Sequence, residues 1–235
     1  MERGLVLRQH FFGIKSDQVG KACKIVGEMC NLLAMTYLQQ GNYDLALELL
    51  QKAEILTERD QKGYAVTCNN LACYYRKQGK LRNALKYLQK ALKIESGIGK
   101  TVNASDTHLN ICAVQSQLGR HSTALAHAQS ALILLQEELL HDLKKRKEKN
   151  ESNDGKPIKL DRIAVLAIAY HNVGVEQEFM KKYHESSESY QKGSKIAEKY
   201  LGLDHSMTIT LKNSCILAKK AFKARKEKSE KRRVI

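Results

Sequence analysis

The 235-residue sequence predicts an all-α protein, a solenoid of stacked helix-turn-helix units. Three observations carry the prediction. A series of apolar and small residues recurs along the chain, glycine returns at the same place in each copy, and one proline with no tryptophan is poor material for a turn-rich all-β design. The clearest copy is "NNLACYYRKQGKLRNALKYLQKAL", Asn69 to Leu92, where Leu71, Ala72 and Tyr75 precede Gly79, and Leu81, Ala84, Leu88 and Ala91 follow it. Upstream the series reads Leu33, Ala34, Tyr37, Gly41, Tyr43, Ala46, Leu50, Ala53; downstream it reads Ile111, Cys112, Gln115, Gly119, His121, Ala124, Ala128, Ala131. The turn glycines are 38 and 40 residues apart.

Each part of a copy has a physical reason. Leu81, Ala84, Leu85, Leu88, Ala91 and Leu92 make one apolar helix face. Ala72 and Ala84 are small where the two helices of a hairpin cross closely, and Gly79 reverses the chain in a left-handed conformation without a side-chain clash. One such hairpin cannot bury both of its faces, so hairpins stack.

In chain order, residues 1–15, with LVLRQHFFG, read as the end of a preceding helix or a partial repeat, as in a stretch of a longer array. Repeat one spans about 16–60 and opens with a long helix capped by Ser16, carrying Val19, Cys23, Val26, Cys30, Leu33 and Tyr37 at helical spacing. Repeats two and three span about 61–99 and 100–137. A charged, flexible insert covers about 138–160; its first half extends the preceding helix, and NESNDGKP reads as a mobile loop. Repeat four, about 161–200, keeps the series as Tyr170, Val173, Gly174, Gln177, Tyr183, Ser186, Tyr190 and Gly193, but places Lys181 where the others have glycine, at a steric penalty if that residue is left-handed. A closing helix over 206–222 and a basic tail over 223–235 complete the chain.

Over roughly residues 16–222 these residues resemble the tetratricopeptide repeat (TPR), in the 40-odd-residue variety found in kinesin light chains. The resemblance implies a right-handed α-solenoid (superhelix) whose concave groove binds an extended segment of a partner protein. It implies a non-catalytic adaptor or scaffold.

Two residues before the small crossing residue stands an asparagine: Asn70, Asn110, Asn172 and Asn213. The intervals are 40, 62 and 41, and the 62 becomes 40 once a 22-residue insert is set aside. Asparagine is mildly unfavourable inside a helix, so its return at one structural position needs a reason. With Leu71 and Tyr75 facing the core, Asn70, Cys73 and Lys77 turn to the concave side. There an amide, both donor and acceptor, can bond the backbone of an extended peptide whatever its sequence, and the resemblance implies that role for the matching positions. The competing role is a bond to the neighbouring helix that fixes stacking. Repeat one departs, with Leu32 at the ladder position and Asn31 beside it; Asn69 is expected to have no periodic counterpart. Flanking side chains would set selectivity: Asn31 and Met35 in repeat one, Asn69, Arg76 and Lys77 in two, Leu109 and Ala113 in three, His171 and Val175 in four. Their mixture of cations and apolar surface suits an acidic-hydrophobic linear motif. The carboxylate clamp of chaperone-binding TPR proteins is disfavoured, because Met35 and Asp106 stand where it needs a polar partner and a cation.

The formal charge of +15 is concentrated at two places: nine basic and two acidic residues lie in Lys219 to Ile235, and seven basic and four acidic in His141 to Leu160. The tail admits three readings: a solvated helix end, a contact with an acidic polymer such as a tubulin surface or nucleic acid, or a calmodulin-like target anchored by Ile216, Leu217, Ala221 and Phe222. The second reading supports an alternative function, a polyanion-binding helical repeat acting through tail and insert. It lacks the per-repeat base-reading pairs and stacking aromatics of such proteins. Six cysteines without a C-x-x-C pair read as small buried hydrophobes. SGIGKT, Ser96 to Thr101, lacks the first glycine and the preceding strand of a phosphate-binding loop. No nucleophile has an identifiable base, and the histidines lack metal-ligand spacing, so neither an enzyme nor a cofactor, metal or small-molecule substrate is expected. Without an apolar run of membrane length or a signal-like start, the expected setting is cytoplasmic, with cytoskeletal or ciliary association open.

Overall fold

A computed structural model of the chain describes residues 2–13, 16–98, 103–148 and 159–231. The NESNDGKP segment, Gly99 to Thr101 of SGIGKT and the last four residues of the tail lie outside the described residues. Among the described residues there are ten helices and no strand: α1 (Glu2–Phe12), α2 (Asp17–Gln39), α3 (Tyr43–Thr57), α4 (Gln61–Lys77), α5 (Leu81–Gly97), α6 (Ala104–Gln117), α7 (His121–Glu148), α8 (Leu160–Phe179), α9 (Tyr183–Leu201) and α10 (Ser206–Lys231). The chain divides into two compact units, 1–110 and 111–235, with the boundary inside α6.

In the first unit α1 packs on α2, and α2/α3 and α4/α5 form hairpins. Ser16 caps α2 as expected, its Oγ accepting from the Val19 amide at 3.3 Å, and Asn42 Oδ1 caps α3 by accepting from the Leu45 amide at 3.3 Å. Gly41 (φ 80°) and Gly79 (φ 72°) are left-handed, which is why glycine recurs there. Ala34, Leu38, Ala46, Leu50, Leu71 and Tyr74 form a buried cluster. Each buried leucine of this kind contributes about 1.5–3 kcal/mol of transfer free energy. Tyr75 stacks on Tyr87 with ring centroids 5.5 Å apart, and Tyr43 meets Tyr74 edge-on.

In the second unit Cys112 packs with Ala124, Leu125, Ala128 and Val173. Helix α7 runs on to Glu148, so the first half of the insert is helical. It is tied to α8 by the Arg162 guanidinium, whose Nε and Nη2 donate to Glu138 Oε2 at 3.0 and 2.9 Å, and by Gln136 Nε2 donating to the Tyr170 hydroxyl at 2.7 Å. At the α8–α9 turn Lys181 is left-handed (φ 61°), taking the glycine conformation despite its side chain. The crossing is also re-sized: where repeat two has Ala72 and Leu88, repeat four has Gly174 and Tyr190, and a Cβ on Gly174 would lie 2.3 Å from Tyr190 Cε1. Helix α10 packs Leu211, Cys215 and Ala218 against Tyr190 and Ala197. It continues nine residues beyond the expected end at 222, correcting the boundary between closing helix and tail. Its later residues, AFKARKEKSEK, are mostly Ala, Lys, Arg and Glu, strong helix formers, without glycine or proline.

None of the six cysteines forms a disulfide; Cys30, Cys68, Cys112 and Cys215 are buried, and Cys23 and Cys73 half-buried. Burial pushes the Cys68 thiol up to about 11 and Cys112 to about 12, so both stay neutral and behave as small hydrophobes.

Candidate functional site

The polar residues of α2, α4 and the first-unit part of α6 are joined in two equivalent networks. In the first, Asn31 Nδ2 donates to Thr67 Oγ1 at 2.9 Å, Asn70 Nδ2 donates to Asn31 Oδ1 at 3.0 Å, and Thr57 Oγ1 lies 3.1 Å from Thr67 Oγ1. In the second, Asn69 Nδ2 donates to Thr107 Oγ1 at 2.7 Å, Asn110 Nδ2 donates to Asn69 Oδ1 at 3.2 Å, and Thr107 Oγ1 donates to Glu95 Oε1 at 3.0 Å. Asn31 corresponds to Asn69, Thr67 to Thr107, Asn70 to Asn110 and Thr57 to Glu95.

This arrangement corrects one expectation. Asn69 does have a periodic counterpart, Asn31, 38 residues upstream, the same interval that separates Gly41 from Gly79. The pair of asparagines in the second repeat therefore has two jobs. Asn69 accepts from the next repeat's ladder residue, and Asn70 donates back to the preceding repeat's Asn31. Asn31 is buried (5 % exposed), while Asn69, Asn70 and Asn110 are half-buried. Inside a protein such bonds are strong, and a lost partner is expensive, so the network fixes how successive first helices meet.

Thr57, Thr67, Glu95 and Thr107 did not stand out in the sequence, although Thr57/Glu95 and Thr67/Thr107 keep the 38- and 40-residue intervals. Threonines at helix-compatible spacing look like ordinary side chains until a partner is seen. Glu95 replaces a threonine with a carboxyl. It is 5 % exposed, Oε2 has no hydrogen-bond partner, and burial pushes its pKa above the usual carboxylate value, against the opposing Thr107 bond.

The remaining expected site residues divide between the two units. In the first, Met35 and Cys73 pack against the hydrophobic cluster, Arg76 is half-buried, and Lys77 Nζ donates to the Leu38 carbonyl at 3.2 Å, complementing the C-terminus of α2. In the second, Ala113, His171 and Asn172 are half-buried, Val175 packs against the α9–α10 cluster, and Asn213 is exposed on α10. His171 lies 5.6 Å from the Tyr190 ring, and burial lowers its pKa against an opposing Asn172 bond, keeping the imidazole neutral. Among the described residues no group of three or more His, Cys, Asp or Glu is placed to hold a metal ion. Among them, too, no helix is long and apolar enough to cross a membrane.

Helical hairpins whose first helices are joined by repeated side-chain bonds define a helical-repeat interaction scaffold. The family comparison agrees: tetratricopeptide-repeat models match residues 28–95 and 167–200, so those two stretches carry tetratricopeptide repeats. The chain's fold is that of kinesin-light-chain-like repeats. It is similar to a Podosopora anserina protein of nearly identical kinesin-light-chain TPR-like repeats, with 16% identity, a TM-score of 0.61, and coverage of 86% of this chain and 90% of that one. BtubC (BKLC) from P. vanneervenii is similar at 17% identity and a TM-score of 0.64, over 96% of this chain and 87% of that one. A STAND signal-transduction ATPase from Pyrococcus horikoshii with a tetratricopeptide-repeat sensor matches at 18% identity and a TM-score of 0.57, over 91% of this chain but 30% of that one. Comparison with curated proteins gives no match.

Proposed function

We propose that this protein is a non-catalytic adaptor that holds an extended segment of a partner protein along the first helices of its repeats, with Asn70 and Asn110 as backbone-binding residues. The observation that carries the reading is the way these amides are set. Each Nδ2 has two hydrogens, and the bonds to Asn31 and Asn69 engage one apiece, orienting the side chain while its second N–H and its Oδ1 remain to meet a peptide N–H and C=O. Stacking and recognition are then two uses of one side chain. Arg76 and the neighbouring apolar side chains favour an acidic-hydrophobic segment. The fold shared with kinesin-light-chain repeats supports a cytoplasmic setting, with cytoskeletal or ciliary proteins as the first partners to screen.

The test is selection of peptides from a displayed random library on the full chain, followed by titration of the selected peptides against Asn70→Ala/Asn110→Ala. The expected result is affinity weaker by about tenfold or more, in keeping with loss of one or two buried hydrogen bonds, while the helical circular dichroism signal is kept. Equal affinity for wild type and double mutant would confine the asparagines to stacking.

A further inference from the structure

In the second unit, the α8–α9 turn and the far half of α10 enclose a depression of about 220 Å³. Its wall is built around Arg225. The guanidinium donates from Nη1 to the Lys181 carbonyl at 2.7 Å, and its Cζ lies 5.9 Å from the Tyr183 ring centroid, so the fork is oriented by two contacts with one of its five N–H donors engaged. Phe222 adds an apolar wall, its ring 5.3 Å from His184. Lys181 and Lys182 complete the lining with Glu185, whose carboxylate is 3.7 Å from Lys182 Nζ. Three permanent cations thus share one small depression with a single carboxylate.

Holding the turn does not account for this charge. The bond from Arg225 reaches a backbone carbonyl, which any residue at 181 would supply, and glycine, present at the turns of repeats one to three, would adopt φ 61° at less steric cost than lysine. Clustered cations repel one another, and an anion with several acceptor oxygens relieves the repulsion. A phosphoryl group fits better than a single carboxylate, because it brings nearly two charges and three oxygens to a fixed guanidinium fork and two ammonium groups, while the Tyr183 and Phe222 rings can cover the carbon chain that carries it. We propose that this depression binds the phosphoryl group of a phosphorylated peptide.

The test uses the ¹⁵N-labelled full chain and follows the amide shifts of residues 182–185 on titration with N-acetyl-phosphoserine amide, N-acetyl-phosphotyrosine amide, N-acetyl-glutamate amide and inorganic phosphate. Saturable shifts are expected with at least one phosphorylated amide, and binding of the glutamate derivative weaker by about tenfold or more. Lys181→Gly should leave the turn and the helicity intact yet weaken the phosphorylated ligand severalfold. Arg225→Lys, which keeps the charge and loses the fork, should weaken it by about tenfold. Lys195→Gln, the same change of charge elsewhere on α9, should leave it unaltered. The proposal is overturned if neither phosphorylated amide saturates, if inorganic phosphate alone binds, if the glutamate derivative binds equally well, or if Lys195→Gln weakens binding as much as Lys181→Gly.

Discussion

Asn69→Ala removes the residue that ties α4 to α6. Asn69 Nδ2 donates to Thr107 Oγ1 at 2.7 Å and to the Ala65 carbonyl at 3.3 Å, and Asn69 Oδ1 accepts from Asn110 Nδ2 at 3.2 Å. After truncation, Thr107 keeps its bond to Glu95 but loses a donor to its buried oxygen, and the half-buried Asn110 amide loses its acceptor. Abandoning such partners costs about 1–3 kcal/mol, so the expected destabilisation is about 2 kcal/mol. For a chain of this length that lowers Tm by about 4–8 °C. Asn70→Ala removes one bond, to Asn31, and should cost about half as much. A double-mutant cycle with Asn110→Ala should return a coupling of about 0.5–1.5 kcal/mol between residues 41 apart in sequence. Unfolding in urea followed by far-UV circular dichroism measures both quantities. Amide exchange locates the loss at α4 and residues 104–110, since a repeat array is held by nearest-neighbour interfaces. A change within about 0.5 kcal/mol of wild type for Asn69→Ala, the range of an ordinary surface substitution, or a coupling of zero would refute the network as the joint between repeats.

Three further outcomes are expected. Gly174→Ala should destabilise by about 1–3 kcal/mol or more, because the new methyl group meets the buried Tyr190 ring at 2.3 to 2.7 Å; Tyr190→Leu, restoring the residue type of Leu88, should recover part of the loss in thermal unfolding. The Glu95 carboxyl has its folded pKa raised above the unfolded value of 4.5, so the folded state binds the proton more tightly. Its ionisation therefore opposes folding as pH rises above about 4.5, and Glu95→Gln should be more stable than wild type at pH 7, with the difference shrinking toward pH 4 in melting experiments. Under native conditions the half-buried Cys23 should react with a thiol reagent before Cys68 and Cys112, whose thiols are buried and held neutral; mass spectrometry of the labelled peptides reads the order.

The hairpins were legible in the sequence because their causes are local. A left-handed turn wants glycine, a close crossing wants alanine, and a buried helix face wants leucine at helical spacing, so Gly41, Gly79, Ala72, Ala84 and Leu88 announce themselves. At the fourth turn the sequence shows a lysine in the glycine position, and the structure supplies its left-handed conformation. The asparagine column was legible as a period, but not what its amides touch. Asn31 and Asn69 went unmatched although the 38-residue glycine interval links them, and Thr57, Thr67, Glu95 and Thr107 gave no signal of their own. A polar side chain inside a helix says that it needs a partner, and the partner comes from another helix.

The sequence by itself determined that this chain carries tetratricopeptide repeats, where its turns fall, and that asparagine returns at Asn70, Asn110, Asn172 and Asn213 with the period of the repeat. Only the tertiary structure decided that Asn70 and Asn110 are held from behind by Asn31 and Asn69, that Lys77 is turned to a helix C-terminus, and that Arg225 reaches back 44 residues to the α8–α9 turn. The division follows from the range of the forces. Backbone conformation and apolar periodicity are set within a few residues, whereas a side-chain hydrogen bond to a residue 36 to 44 positions away exists only once packing has brought its donor and acceptor within about 3 Å.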